Sequence, residues 1–145
     1  MSNRTIMLLV SAELEMLVEQ GDGILKAEAV VEYARDPKTA LHSHFEWDDT
    51  EAAREYRLVQ ARHIIRVVLR AHSIQPPIVT RIFVSLNEDR ALPGGGYRTM
   101  IDVMSAEESR RKLLAQALAE LETWQKKYQT LTELAAIFAA IATVK

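Results

Sequence analysis

The chain contains no cysteine, which excludes disulfides, thiolate metal ligands and cysteine nucleophiles. It also lacks a long apolar run. The start, Met1 to Val10, has one arginine and then five apolar residues. A secretory h-region needs roughly 7–15 and a transmembrane helix about 20. The expected compartment is therefore the cytoplasm, with no membrane partner. An excess of one charge is missing too. Lys+Arg 18 against Asp+Glu 20 leave a net charge of -2 and a pI near 6.1, so affinity for nucleic acid requires a local basic patch. Gly-x-Ser-x-Gly, P-loop and Gly-x-Gly-x-x-Gly patterns are absent, and no enzymatic activity and no cofactor are expected.

What remains is an ordinary globular balance, 48% hydrophobic and 26% charged over 145 residues. That suits one domain, or one domain with an attached interaction segment. Ser11 reads as the N-cap of a first helix that Gly21-Asp22-Gly23 stops. A second helix begins near Leu25 and ends at Asp36-Pro37, because the residue before proline leaves the helical region. Phe45 and Trp47 are apolar anchors pinning a polar connection to the core. Asp49 or Thr50 starts the strongest helix, expected over residues 50 to 71, with a broad apolar arc from Tyr56 to Leu69 and a narrow stripe of Arg62, Arg66 and Arg70 together with Glu55.

After Gln75-Pro76-Pro77 the period falls to about two. Val79–Leu86 and Tyr97–Met104 read as strands joined through the glycine-tipped segment Asn87 to Gly96. Ser105-Ala-Glu-Glu108 matches a capping box before a long helix reaching toward residue 142. There, Leu114, Ala117, Leu121, Trp124, Tyr128, Leu131, Ala135, Phe138 and Ala142 keep an a/d heptad. Thr130 and Thr132 mark where it would break into two helices. The expected fold is mainly α with a small β-hairpin. A winged-helix-like body spans 1–104, with the hairpin at 79–104, and a C-terminal helical oligomerisation segment spans 105–145.

The stretch Ala29–Arg62, which includes Leu41-His-Ser-His-Phe-Glu-Trp-Asp-Asp-Thr50, resembles small uncharacterised proteins encoded in bacteriophages and prophages. Arg81–Leu86, Gly95–Arg98 and Lys127–Leu134 are similar to the same group. The resemblance spans about residues 25 to 140. It implies a phage-associated regulator, DNA-binding protein or host-interaction factor, and it transfers no catalytic residue.

In helix-turn-helix proteins the recognition helix enters the major groove N-terminal end first, and arginine is the commonest guanine reader. Arg54, Arg57 and Arg62 are therefore the candidates for base or backbone contact with double-stranded DNA. Lys38, Arg90 and Arg98 are expected on phosphates, and Arg81 could join them. The competing expectation is that these arginines pair with acids inside the chain.

Leu114, Leu121, Trp124, Tyr128, Leu131 and Phe138 are the candidate homo-oligomer interface. The alternative function is a protein–protein module: an oligomeric phage structural component, or an inhibitor of a host defence or transcription protein. His42-Ser43-His44 with Asp48 and Asp49 contains metal-ligand residue types. On a helix those two rings point about 200° apart, so packing and capping are expected there and no metal site is assigned.

Overall fold

The computed structural model describes residues 1–47, 50–72 and 78–144, with side chains left aside at 70–72 and 78–79. The chain is mainly α with small antiparallel β elements, as its sequence predicts. It divides into two compact units, Met1–Asp102 and Val103–Lys145.

In the first unit, α1 spans Asn3–Gln20. It starts eight residues before Ser11, because Ser2 caps it: the Thr5 amide donates to Ser2 Oγ at 3.2 Å. Ser11 sits mid-helix and donates to the Met7 carbonyl at 2.8 Å. Gly21 ends the helix, and Asp22 and Gly23 carry the chain through positive φ of 53° and 89°. Helix α2 spans Ala27–Ala34, a 3-10 turn covers His42–His44, and α3 spans Glu51–Val67. Thr50 caps α3, accepting from the Ala53 amide at 3.2 Å.

Val10, Leu14 and Leu17 of α1, Val30 and Val31 of α2, and Ala61, Ile64 and Ile65 of α3 form one core with Leu41 and Phe45 of the connection. Burying each large aliphatic side chain contributes about 1.5–3 kcal/mol. Outside that inward line α3 is open: Tyr56, Val59 and Val67 are exposed. The apolar arc is thus narrower than the residue types suggest.

The β elements differ from expectation. Helix α3 ends at Val67, and buried Val68 turns extended, so residues 69 to 71 are not helical. The run Ile64, Ile65, Val67, Val68 is rich in β-branched side chains, which are restricted at χ1 in a helix and pack well on a pleated strand. The chain then forms β1 (Leu69–His72) and β2 (Ile78–Arg81), paired antiparallel with Leu69 opposite Arg81 and Arg70 opposite Thr80. The Pro76-Pro77 pair falls in the connection, outside the described residues.

The expected strand Val79–Leu86 divides at Ile82. Its second half, β3 (Phe83–Val84), pairs with β4 (Arg98–Thr99). Between them lies the single turn α4 (Asn87–Arg90). The expected strand Tyr97–Met104 is extended only to Thr99, after which α5 spans Met100–Ser105. Thr99 Oγ1 accepts from the Asp102 amide at 3.2 Å and so caps the turn that a period-two reading passes over. A first hairpin joins 69–72 to 78–81, and the one expected over 79–104 is reduced to the two-residue antiparallel pair of β3 with β4, whose connection contains α4.

The second unit holds α6 (Glu107–Tyr128), a 3-10 turn at Thr132–Leu134 and α7 (Ala135–Val144). Ser105 belongs to α5 and the N-cap position of α6 is Ala106, which makes no side-chain cap, so the expected capping box does not form. Leu131 is extended between the helices. The heptad pattern thus runs over two helices, and no continuous four-heptad seam exists. Among the described residues, no helix is long and apolar enough to cross a membrane.

Candidate nucleic-acid interface

Position 57 shares the inward phase of α3 with Ala61, Ile64 and Val68, and Arg57 is accordingly only 5% exposed. Its Nη1 donates to the Glu46 carbonyl at 3.1 Å, and its guanidinium lies 5.3 Å from the Trp47 ring centroid. Arg35 approaches the same ring at 5.9 Å. His42 stacks on Trp47 with centroids 5.0 Å apart and planes 10° from parallel. Trp47 Nε1 donates to the His42 carbonyl at 3.0 Å, and His42 Nδ1 lies 2.8 Å from the Ala34 carbonyl. Glu13 of α1 accepts from the amides of Ala40 and Leu41 at 2.8 and 3.0 Å.

The segment from Ala34 to Trp47, with Arg57 of α3, is therefore organised around the Trp47 ring. Arg57 closes it from inside and does not stand ready for DNA. Among the described residues, no three His, Asp or Glu side chains gather in a metal-binding group. Asp48 and Asp49 lie outside the described residues.

Arg98 is held in the same way. Its Nε donates to both oxygens of Asp89 at 3.0 Å, and Nη2 reaches Asp89 Oδ1 at 2.8 Å and Glu88 Oε1 at 2.7 Å. Asp89, 1% exposed, also accepts from the Leu86 amide at 3.1 Å. The hydrogen bond to Asp89 is the main reason the Arg98 guanidinium is held more basic than usual. Arg98 thus pairs internally and is withdrawn as a phosphate contact. Arg90 is exposed, with long contacts to Asn87 Oδ1 and the Ser85 carbonyl, both at 3.4 Å. Lys38 and Arg54 are exposed and Arg62 is half-buried.

A different set of cations lies along one stretch of the chain. From Tyr56 to Asn87 the chain contains no aspartate or glutamate, but five arginines (Arg57, Arg62, Arg66, Arg70, Arg81) and two histidines. This acid-free segment runs from the second turn of α3 through the β1–β2 hairpin and β3 to the first residue of α4. Arg66 is exposed, one helical turn beyond Arg62, and its Nε donates to the Arg62 carbonyl at 3.2 Å. Arg81 is exposed at the base of the hairpin, in register with Leu69. Attention to arginines at the N-terminal end of α3 passes over this set. The signal that finds it is the gap in acids.

In the second unit, Trp124, Tyr128 and Phe138 pack on one another. The Trp124 ring lies 5.7 Å from each of the other two, edge-on to Phe138. These three candidate interface residues are engaged within the unit, whereas Leu114, Leu121 and Leu131 are exposed. Comparison with protein-family models, curated proteins and solved structures finds no match.

Proposed function

We propose that the protein is a non-enzymatic binder of double-stranded DNA that contacts the phosphate backbone through the acid-free segment. Arg66 and Arg81 lead, with Arg62, Arg54, Lys38 and Arg90 around them. The observation that carries this reading is local charge. A chain of net charge -2 carries Arg62, Arg66, Arg70 and Arg81 in a stretch without a single acid, which supports the local field a polyanion needs. The resemblance to phage-encoded proteins supports a role as regulator or DNA-organising factor in the cytoplasm of a bacterial host. Contacts of this kind position a protein on a duplex without reading its sequence.

The test is fluorescence anisotropy with a random duplex across a salt series. Binding weakens steeply with salt in the parent, and Arg66→Ala with Arg81→Ala abolishes most of it. No binding at low salt overturns the reading. A second reading, an assembly component or an inhibitor of a host protein, is favoured by the apolar side chains that stand exposed on α1 and α7, among them Leu8 and Ile137. Retention of a folded protein with no duplex affinity leaves this reading in place.

A further inference from the structure

We infer, on the footing that the chain binds duplex DNA through its arginines, that the open face of α3 reads base edges in the major groove. At 3.6 residues per turn, Tyr56, Val59, His63, Arg66 and Val67 fall within an arc of about 100°. All five are exposed, Tyr56 and Val59 each by 53%. The opposite side of the helix holds Ala61, Ile64 and Ile65 in the core. Burial of that side fixes which side chains α3 turns outward. Arg57 falls outside the arc, about 100° round the helix from Tyr56, and Arg54 about 160°.

A phosphate contact needs only a cation. On this face Arg66 supplies one, in the last turn of α3, and Arg81 lies opposite Leu69, just beyond the end of the helix. Tyr56, Val59 and Val67 add open apolar surface for which backbone contacts have no use. Contacts to phosphates fix a protein's register on the duplex, and base edges carry the sequence. The major groove, about 12 Å wide, admits an α-helix and presents thymine methyl groups together with hydrogen-bond donors and acceptors. Val59 suits the methyl groups, and the hydroxyl of Tyr56 and the ring nitrogens of His63 suit the polar edges. Tyr56 to His63 spans about 10 Å along the helix, about three base-pair steps.

Charge complementarity selects a polyanion for this face. From Tyr56 onward the chain carries no acid until Glu88, while Glu51 and Glu55 precede the face. Open apolar side chains set among arginines, with acids kept out, match a groove walled by phosphates. The major groove of A-form RNA is too deep and narrow for side chains to read, so the duplex is DNA.

Selection of bound duplexes from a randomised DNA pool, with the full chain, tests the inference. The parent should enrich a motif of about three adjacent base pairs and prefer it to a random duplex at least about tenfold. Tyr56→Ala with Val59→Ala removes no charge, so the slope of log K against log salt and the melting temperature should match the parent. The preference itself should fall at least about fivefold. His63→Ala should change the enriched motif. Duplex binding that returns no motif, or a preference indifferent to the double variant, overturns the inference and leaves the phosphate reading standing; the face then suits a protein partner. A preference lost together with the melting temperature assigns Tyr56 and Val59 to folding and overturns it as well. So does equal affinity for an RNA duplex of the selected sequence. No duplex binding at low salt overturns both readings.

Discussion

Arg98 reaches from β4 to the buried carboxylate of Asp89 in α4, with its Nη2 2.8 Å from Oδ1 and its Nε 3.0 Å from both oxygens. Because Asp89 is 1% exposed and also accepts the Leu86 amide, removing the arginine leaves a buried charge without its main partner. Arg98→Ala should therefore lower unfolding free energy by about 3 kcal/mol, at the low end of the range for broken buried pairs because Arg98 is partly exposed. Urea unfolding measures this. A change under about 0.5 kcal/mol would return Arg98 to the pool of surface cations.

The Trp47 cluster yields a contrast between neighbouring arginines. Trp47→Ala removes a ring that touches His42, Phe45 and two guanidinium groups, and should cost about 3–5 kcal/mol. Arg57→Ala should cost about 1–3 kcal/mol, through the lost bond to the Glu46 carbonyl and lost packing. Exposed Arg54→Ala should stay within about 0.5 kcal/mol. Thermal melts of the three variants check the order.

For duplex binding, Arg66→Ala and Arg81→Ala should each reduce the slope of log K against log salt by about 1. Both residues are exposed, so their melting temperatures should match the parent. A slope unchanged in both variants assigns binding, if present, to other cations.

Tyr33 offers a pH measurement. Burial first, then the nearby charges of Glu13 and Asp36, raise its phenol above the ordinary 10.0. Above pH 10 the unfolded chain releases this proton while the folded chain retains it. The folded state then binds more protons, so stability falls as pH rises from about 10 toward the raised value. Ultraviolet titration of tyrosinate should show the late phenol, and Glu13→Gln should bring it earlier. A Tyr33 that ionises with model phenol would contradict this.

Several features of the fold are legible in the residues themselves. The stop at Gly21–Gly23 follows from glycine's tolerance of positive φ, realised at Gly23. The Thr50 cap and the break between α6 and α7 near Thr130 follow from local chemistry as well. The missed elements are those where two local readings compete. Met100–Ser105 alternates in polarity, yet it follows a threonine able to cap a helix, and the capped helix prevails. The site divides along the same line. Lys38, Arg54 and Arg62 are legible as cations, and so is the gap in acids around Arg66 and Arg81; that the hairpin follows α3 directly is decided by the fold.

Composition and short-range pattern determined that this chain would be mostly helical, free of thiol chemistry and dependent on a local cluster for any affinity toward polyanions. These are sums over residues or effects within a few positions along the chain. Whether a given arginine faces water was decided by residues far away in sequence. Arg57 met Trp47 and the Glu46 carbonyl arriving from a connection, and Arg98 met Asp89 across a turn. A cation's freedom depends on which oppositely polar atoms the rest of the chain delivers to it, and only tertiary folding sets that.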